Sequence, residues 1–495
     1  MGLDPDLVKT PDTDEWWMVR LGEKLGKRLP RVHELEAWMD GNPPLAHPDS
    51  DNGAFSRIQR FARLNLAELI INAVLYRMQP LTFRTAAEGD QNGDAEANKI
   101  LKANDFKVMS AKAIEWMLTL SESYIICGPR KYEDPTAGVL LTAEHPEQVI
   151  TEDDPMNPGH ALAALKIYRD DLTNSDVAVL YRKDYSRVAR HVGKNSILPG
   201  KNRVTPWMFR GNNWTWDTAS TAEAETGDYW VNDEGNYVLP TFTEYPPVFR
   251  LTNRGGKGEF EKHLPTLERI NHTILQRMII IAFQAFRQRG IKGVPNVDED
   301  GKEIDYSDIF SADPGAVWLL PEVADFWESG QADITPVLTA VKDDIIHLAV
   351  SSSTPLFSVV PDAANGSAEG AALQREGLIF KTEACIALAD SPFCRMMGTA
   401  FKILGDEQRA DTAEISSVWA SPRRSSLQER ATAAVQAKVA GVPWRTLMEK
   451  FIELTPDEIA TAETERLDDA FMASLMGDTG DVSVPGMTDP PRSTI

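Results

Sequence analysis

Apolar residues recur at three- and four-residue steps through the opening stretch, at Trp16, Trp17, Leu21 and Leu25 and again at Val32, Leu35 and Trp38 after Pro30. That spacing predicts helices. A Gly-Asn-Pro-Pro turn at Gly41–Pro44 closes the unit. Phe55 to Met78 continues helical, with Ile58, Phe61, Leu64, Leu66, Leu69 and Ile70 on a broad apolar face, until Pro80 breaks it. A further helix is predicted from Val108 to Leu120. It leads into Tyr124–Cys127, a short buried-strand candidate ended by Gly128-Pro129.

From there to about Arg250 the period shortens. Ala163 to Tyr168, Val177 to Tyr181 and Arg187 to His191 read as strands separated by Asp, Asn and Gly clusters, so the expected class is α+β. Trp207, Trp214, Trp216 and Trp230 sit in a polar stretch between them. They could stack single-stranded nucleic acid or pack a loop-rich insertion. Packing is favoured, because no basic groove accompanies them.

Pro265 to Arg289 has an unusual pattern. Leu267, Ile270, Ile274, Met278, Ile281 and Ala285 form one stripe, while Ile279, Ile280, Phe283 and Phe286 make the middle apolar nearly all round. Such a helix spans about 37 Å, and Arg287, Arg289 and Lys292 supply positive charge suited to its carboxyl end. Two arrangements cover it equally well: neighbouring copies packed in a ring, or the middle of one large monomeric core.

Residues 291–331 read as a small β-rich excursion with Gly293, Pro295, an Asp298–Gly301 turn and Val317–Leu320. A second amphipathic helix follows from Thr335-Pro336, with Val337, Leu338, Val341, Ile345 and Leu348 inward and Lys342, Asp343 and Asp344 outward. It stops at Ser351-Ser352-Ser353-Thr354-Pro355. The loop to Gly370 contains Asn365 and Ser367 and carries only Asp362 and Glu369 as charges, as fits either a mobile loop sliding past a polyanion or a plain surface linker. From Ala371 a long helix is expected, kinked at Pro392. Then come a strand-like piece at Glu414–Trp419, helices over Leu427–Ala440 and Trp444–Glu453, and a capping box at Thr455-Pro456 with Glu458. A disordered tail is expected from about Gly477.

The 495 residues exceed what one core usually serves, which predicts two to four regions. Lys and Arg number 51 against 74 Asp and Glu, a net charge of −23. That balance argues against holding nucleic acid by neutralising phosphates, yet suits a conduit along which a duplex slides. Cys127, Cys385 and Cys394 have no CxxC spacing, so neither a disulfide framework nor a zinc ribbon is expected, and a reducing cytosol fits. The acidic amino end, with Asp6 where a myristoylation signal wants Ser or Thr, shows no targeting signal. The longest apolar run, Met278 to Phe283, is far short of the roughly 20 residues of a membrane span. A soluble protein without membrane contact is expected.

Catalytic motifs fail. No GxxxxGK[ST] loop cradles phosphate, and the eight histidines are scattered, His33-Glu34 lacking the second His of a metalloprotease helix. Ser367 in Gly366–Gly370 is one position early for a nucleophile elbow. Asn296, Asp298, Asp300 and Gly301 match the first half of a calcium loop, but Ser307 stands where the bidentate Glu belongs. A hairpin closed by Asp300-Gly301 explains the same residues. No enzyme, cofactor or metal is expected.

The order of these pieces resembles the portal proteins of tailed bacteriophages, specifically the Gp6-like portals of long-tailed actinobacteriophages. The matching stretches are Trp38–Gly41 with Pro44-Leu45, Arg57–Phe83 leading to Ile100–Asp105, Ala163–Arg169, Val179–Tyr181, Pro247–Asn253, Arg289–Gly293 and Gly366-Ser367. The Trp207–Trp230 stretch has no counterpart in that pattern.

The resemblance implies a portal fold. Its wing would be 1–264, its stem helices 265–290 and 334–351, with a small β-rich clip at 291–333. A tunnel loop at 352–370 would be followed by a kinked helix returning to the wing at 371–422, a helical crown at 423–476 and the tail at 477–495. Twelve copies would form a closed ring at the capsid vertex of the virion, assembled in the host cytoplasm. Its partners would be the major capsid protein, a head-completion protein, the large terminase, and double-stranded DNA passing without sequence specificity. Ile274, Met278, Ile281, Ala285, Val341 and Ile345 would pack the stem. Ser351, Ser352, Ser353, Asp362, Asn365, Ser367 and Glu369 would belong to the tunnel loop. Lys342, Arg287, Arg289 and Lys292 would lie nearest the channel or its exit, unless each is only a solvated helix-end charge. Rival readings are a monomeric enzyme or motor, and another oligomeric adaptor or capsid subunit.

Overall fold

A computed structural model describes residues 3–46, 53–87, 93–192, 198, 214–218, 230–231, 235–285, 289–293, 297, 301–303, 325–328, 330, 333–355, 368–423, 427–454 and 456–475. The fold is α+β.

Helix α1 (Asp14–Met39) starts at Thr13, whose side chain accepts a hydrogen bond from the Trp16 amide. The two apolar runs predicted on either side of Pro30 belong to this one helix. Its first half, Trp17 to Leu29, packs on a sheet, and its second half, Val32 to Trp38, enters a separate helical core.

The helix predicted from Phe55 to Met78 is two: α2 (Gly53–Phe61) and α3 (Ala67–Leu75). Asn65 separates them, its side chain accepting from the Glu68 amide and donating to the Met39 carbonyl. A capping side chain thus interrupts an apolar stripe that periodicity alone carries through.

Strand β1 (Pro80–Arg84), helix α4 (Ala95–Ala103) and helix α5 (Phe106–Leu120) follow. Strands β2 (Glu122–Pro129), β3 (Val139–Glu144), β4 (Val149–Asp153), β5 (Ala161–Asp170), β6 (Ser175–Tyr181), β7 (Tyr185–Val192), β8 (Thr215–Trp216), β9 (Trp230–Val231), β10 (Tyr237–Pro240) and β11 (Val248–Thr252) make two sheets. One has the order β4-β5-β6-β7-β10-β9 with β8 beside β7, and the other runs β11-β2-β3. Trp214 and Trp216 are buried among Trp17, Leu21, Leu165 and Leu180. Trp216 Nε1 donates to Glu15 at 2.9 Å, under the Arg187 guanidinium. These two tryptophans pack the sheet. Trp207 lies outside the described residues.

Helix α6 (Leu264–Ala285) leads to strand β12 (Arg289–Lys292), which pairs antiparallel with β13 (Asp325–Glu328). The helix predicted to reach Arg289 therefore ends earlier, and Arg289 and Gly290 belong to a hairpin rather than to a stem helix. A Val297–Glu303 bridge around Gly301, which has φ +77°, fits the turn reading of that segment. Asn296, Asp298, Asp300, Ser307 and 317–320 lie outside the described residues.

Helix α7 (Thr335–Ser351) matches its predicted span. Helix α8 (Ala368–Ile403) begins three residues before Ala371 and runs through Pro392, so Glu369 is helical and not a loop residue. Strand β14 (Ser416–Trp419) pairs with β1, joining distant parts of the chain. Helix α9 (Leu427–Val439) stops before Gly441, at φ +87°, then come α10 (Trp444–Leu447), a π-turn to Ile452, and α11 (Pro456–Leu475). Thr455 and 476–495 lie outside the described residues.

The main core gathers α1 to α8 and β2, β3 and β11 around Phe83, Phe106, Phe260, Phe393 and Phe401. Cys127, Cys385 and Cys394 are free and buried. Among the described residues no helix is long and apolar enough to cross a membrane.

Candidate functional site

Helices α6 and α7 pack together: Arg269, near the start of α6, grips Asp344, just past the middle of α7, through Nε at 3.0 Å and Nη2 at 2.8 Å. Burial falls along the pair. At the base Leu267, Ile270 and Leu275 of α6 and Leu348 and Ala349 of α7 are fully within the core. Further out, Met278, Ile279 and Ile345 are only half-buried although Val341 is still buried, and Ile281 is 47% and Leu338 43% exposed. The helices thus leave the body of the molecule with apolar side chains still on their surface.

Of the predicted packing residues, Ile274 and Val341 are buried and join Met278 and Ile345 in that core, whereas Ile281 faces outward. The side chain of Ala285 is not among those described. Beyond the pair, the β12–β13 register sets Arg289 opposite Glu328 and Lys292 opposite Asp325. Lys292 and Trp327 are exposed there. Lys342 is exposed on α7 beside Asp343. Arg287 and the side chain of Arg289 lie outside the described residues.

The carboxyl end of α7 is built differently. Ser351 closes the helix, and Ser353 adopts φ +56°. Buried Ser352 shares a hydrogen bond with Thr354 at 2.8 Å. The Ser352 carbonyl accepts from Lys381 Nζ at 3.0 Å, and the same ammonium meets Glu259 at 2.6 Å. Asn253 donates to the other Glu259 oxygen at 3.0 Å. Burial opposes ionisation of Glu259, but the Lys381 charge and the hydrogen bonds from Lys381 and Asn253 outweigh it and hold the carboxyl below its ordinary range. Asp362, Asn365 and Ser367 lie outside the described residues.

A cavity of about 320 Å³ opens at this point, lined by Arg254, Lys257, Glu259, Lys262, His263, Ser351–Ser353 and Lys381. Burial, then the neighbouring Lys381 and Lys262 charges, push the His263 pKa down, so the ring is neutral near pH 7. In a chain of net charge −23, Lys381 is balanced by Glu259, and Arg254, Lys257 and Lys262 leave the opening locally positive, suited to attracting an anion such as a phosphate. Periodicity missed these residues, because their segment is irregular. The available signal was composition: Arg254-Gly-Gly-Lys257-Gly is basic and glycine-rich within an acidic protein. Lys381 was invisible as a partner, since 122 positions separate it from Glu259.

No family model and no curated protein matches this chain. Among solved structures, one described as the neck of a native GTA particle with C12 symmetry aligns at TM-score 0.43 and 10% identity, covering 84% of this chain and 98% of that one. A second, the neck of an empty GTA particle with C6 symmetry, aligns at 0.41 and 11%, covering 85% and 98%. Likeness that loose does not fix a family.

Proposed function

We propose that this chain is a portal subunit of a tailed bacteriophage, a structural protein whose copies close into a ring around a DNA channel at the capsid vertex. One observation carries the reading: the α6–α7 pair leaves the core with the apolar side chains Ile281 and Leu338 exposed. Neighbouring copies placed side by side would cover them, and a heterologous contact repeated around an axis closes a ring. The sequence resemblance to Gp6-like portals supplies the assignment of parts.

In that assignment α6 and α7 are the stem, the β12–β13 hairpin belongs to the clip, and the segment after Ser351 is the tunnel loop. Helix α8 returns to the wing, and α9 to α11 form the crown. Twelve copies would make the ring. The clip would meet the terminase during packaging and a head-completion protein afterwards, while the wing would contact the major capsid protein. DNA would pass without sequence readout, because an acidic wall repels phosphates and sparse cations give only brief contacts. Arg287, Arg289, Lys292 and Lys342 are the residues assigned to those contacts.

The test is negative-stain imaging of the purified full chain. Closed rings with a central hole are the expected outcome. Compact single particles at every concentration, or closed shells, would overturn the proposal.

A further inference from the structure

A cluster of histidines and carboxylates lies where α1 meets the turn between β3 and β4. His33 and Glu36 are three residues apart on one face of α1, and His145 and Glu147 flank Pro146 in the turn. His33 Nε2 is 3.2 Å from Glu147 Oε1, and His145 Nε2 is 3.2 Å from Glu36 Oε1. One ligand atom from each of His33, Glu36 and Glu147 lies within 4.8 Å of the others. In a tetrahedral zinc site with bonds of about 2.0–2.1 Å, ligand atoms are about 3.3 Å apart. The His33–Glu147 edge already has that length, and small rotations of Glu36 would close the set.

The two halves of the cluster are held together independently of it. Buried Arg28, also on α1, donates to the carbonyls of Pro146 and Val149, on either side of Glu147, and to Tyr124 Oη at 2.8 Å. The turn is therefore fixed against the helix before any ion arrives, which lowers the ordering cost of binding.

His145 has a different part. Its Nδ1 accepts from the Glu147 amide at 3.2 Å, so Nε2 carries the proton and donates to Glu36. The Trp116 ring stands edge-on to it at 5.0 Å. A ring so fixed cannot offer a lone pair through Nε2, but it orients the Glu36 carboxylate, as outer partners of metal ligands do.

We propose that His33, Glu36 and Glu147 bind one divalent ion of the zinc class, with His145 as a positioning residue and solvent at the open position. One imidazole and two carboxylates favour such an ion over magnesium or calcium, which prefer all-oxygen sets. Two carboxylates beside a neutral imidazole also balance its charge. Bound there, the ion would fasten α1 to the β3–β4 turn. This does not depend on the ring-forming reading above.

The test is calorimetric titration of the chelator-stripped full chain with zinc chloride at pH 7.5. Saturation near one equivalent is expected. His33→Ala and Glu147→Gln should each weaken binding by more than about tenfold, and His145→Gln by about 10–100-fold. Absence of saturable binding, or wild-type affinity in both His33→Ala and Glu147→Gln, would overturn the proposal. Should those variants fail to fold, cobalt(II) titration of the unmodified chain decides. A visible absorption band that saturates at one equivalent and is displaced by zinc, but not by equal magnesium, supports the site. A band that needs many equivalents refutes it.

Discussion

Lys381 and Glu259 meet at 2.6 Å with both side chains more than nine-tenths buried, and the same ammonium caps the Ser352 carbonyl. The contact joins α8, the carboxyl end of α7 and the segment leading into α6. Replacing Lys381 with Met would leave the Glu259 carboxylate buried without its counter-charge. The expected loss is about 3–5 kcal/mol, read as a lower urea midpoint. Adding Glu259→Gln to Lys381→Met should recover part of it.

Acid should weaken the fold through the same residue. Burial raises the Glu259 pKa, but Lys381 and Asn253 outweigh it and the net shift is downward. Burial likewise opposes, and the Arg28 and Arg250 charges reverse, the shift at Glu122. A carboxyl depressed in the folded state contributes stability that is complete above its unfolded pKa and is lost as pH falls through the folded value. Urea midpoints should hold from pH 7 to about 5 and drop below the ordinary glutamate value of 4.5. In Glu259→Gln that drop should be shallower.

Gly258 is required for contact, not for backbone freedom. A Cβ there would lie 2.3 Å from the Thr119 carbonyl oxygen at the end of α5, where the Glu259 amide also donates to Leu118 at 2.8 Å. Gly258→Ala should cost about 1–3 kcal/mol through forced displacement. Gly128→Ala, whose Cβ meets nothing within 4 Å, is the matched control and should be close to neutral.

Ile281→Asp and Leu338→Asp place charge on the uncovered apolar surface of the α6–α7 pair. If that surface is buried between copies, each should convert the assembly to monomers in light scattering. Circular dichroism and the thermal midpoint of the monomer should remain those of a folded chain, because both positions are solvent-exposed within one copy.

Regular elements were legible where one period dominated. Thr335–Ser351 is legible because Pro336 marks its start and four serine or threonine residues its end. The break between α2 and α3 was hidden, since Leu64 and Leu66 continue the apolar stripe while the Asn65 side chain turns the chain. Arg289 was assigned to a helix because a cation at a helix end looks the same in sequence as one opening a strand. Its partner in β13, Glu328, is 39 residues further on. The buried Lys381–Glu259 pair and the His33–Glu147 contact link residues more than 100 positions apart, a relationship that no local pattern contains.

The three native thiols have a practical bearing. Burial pushes Cys385 up to about 12 and Cys394 to about 11, and Cys127 higher still. The thiolate is the reactive form, so maleimides should pass all three by in the native state. A cysteine introduced at Leu338 could therefore carry a fluorophore or crosslinker alone, and report distances between copies without first stripping the wild-type sequence of sulfur.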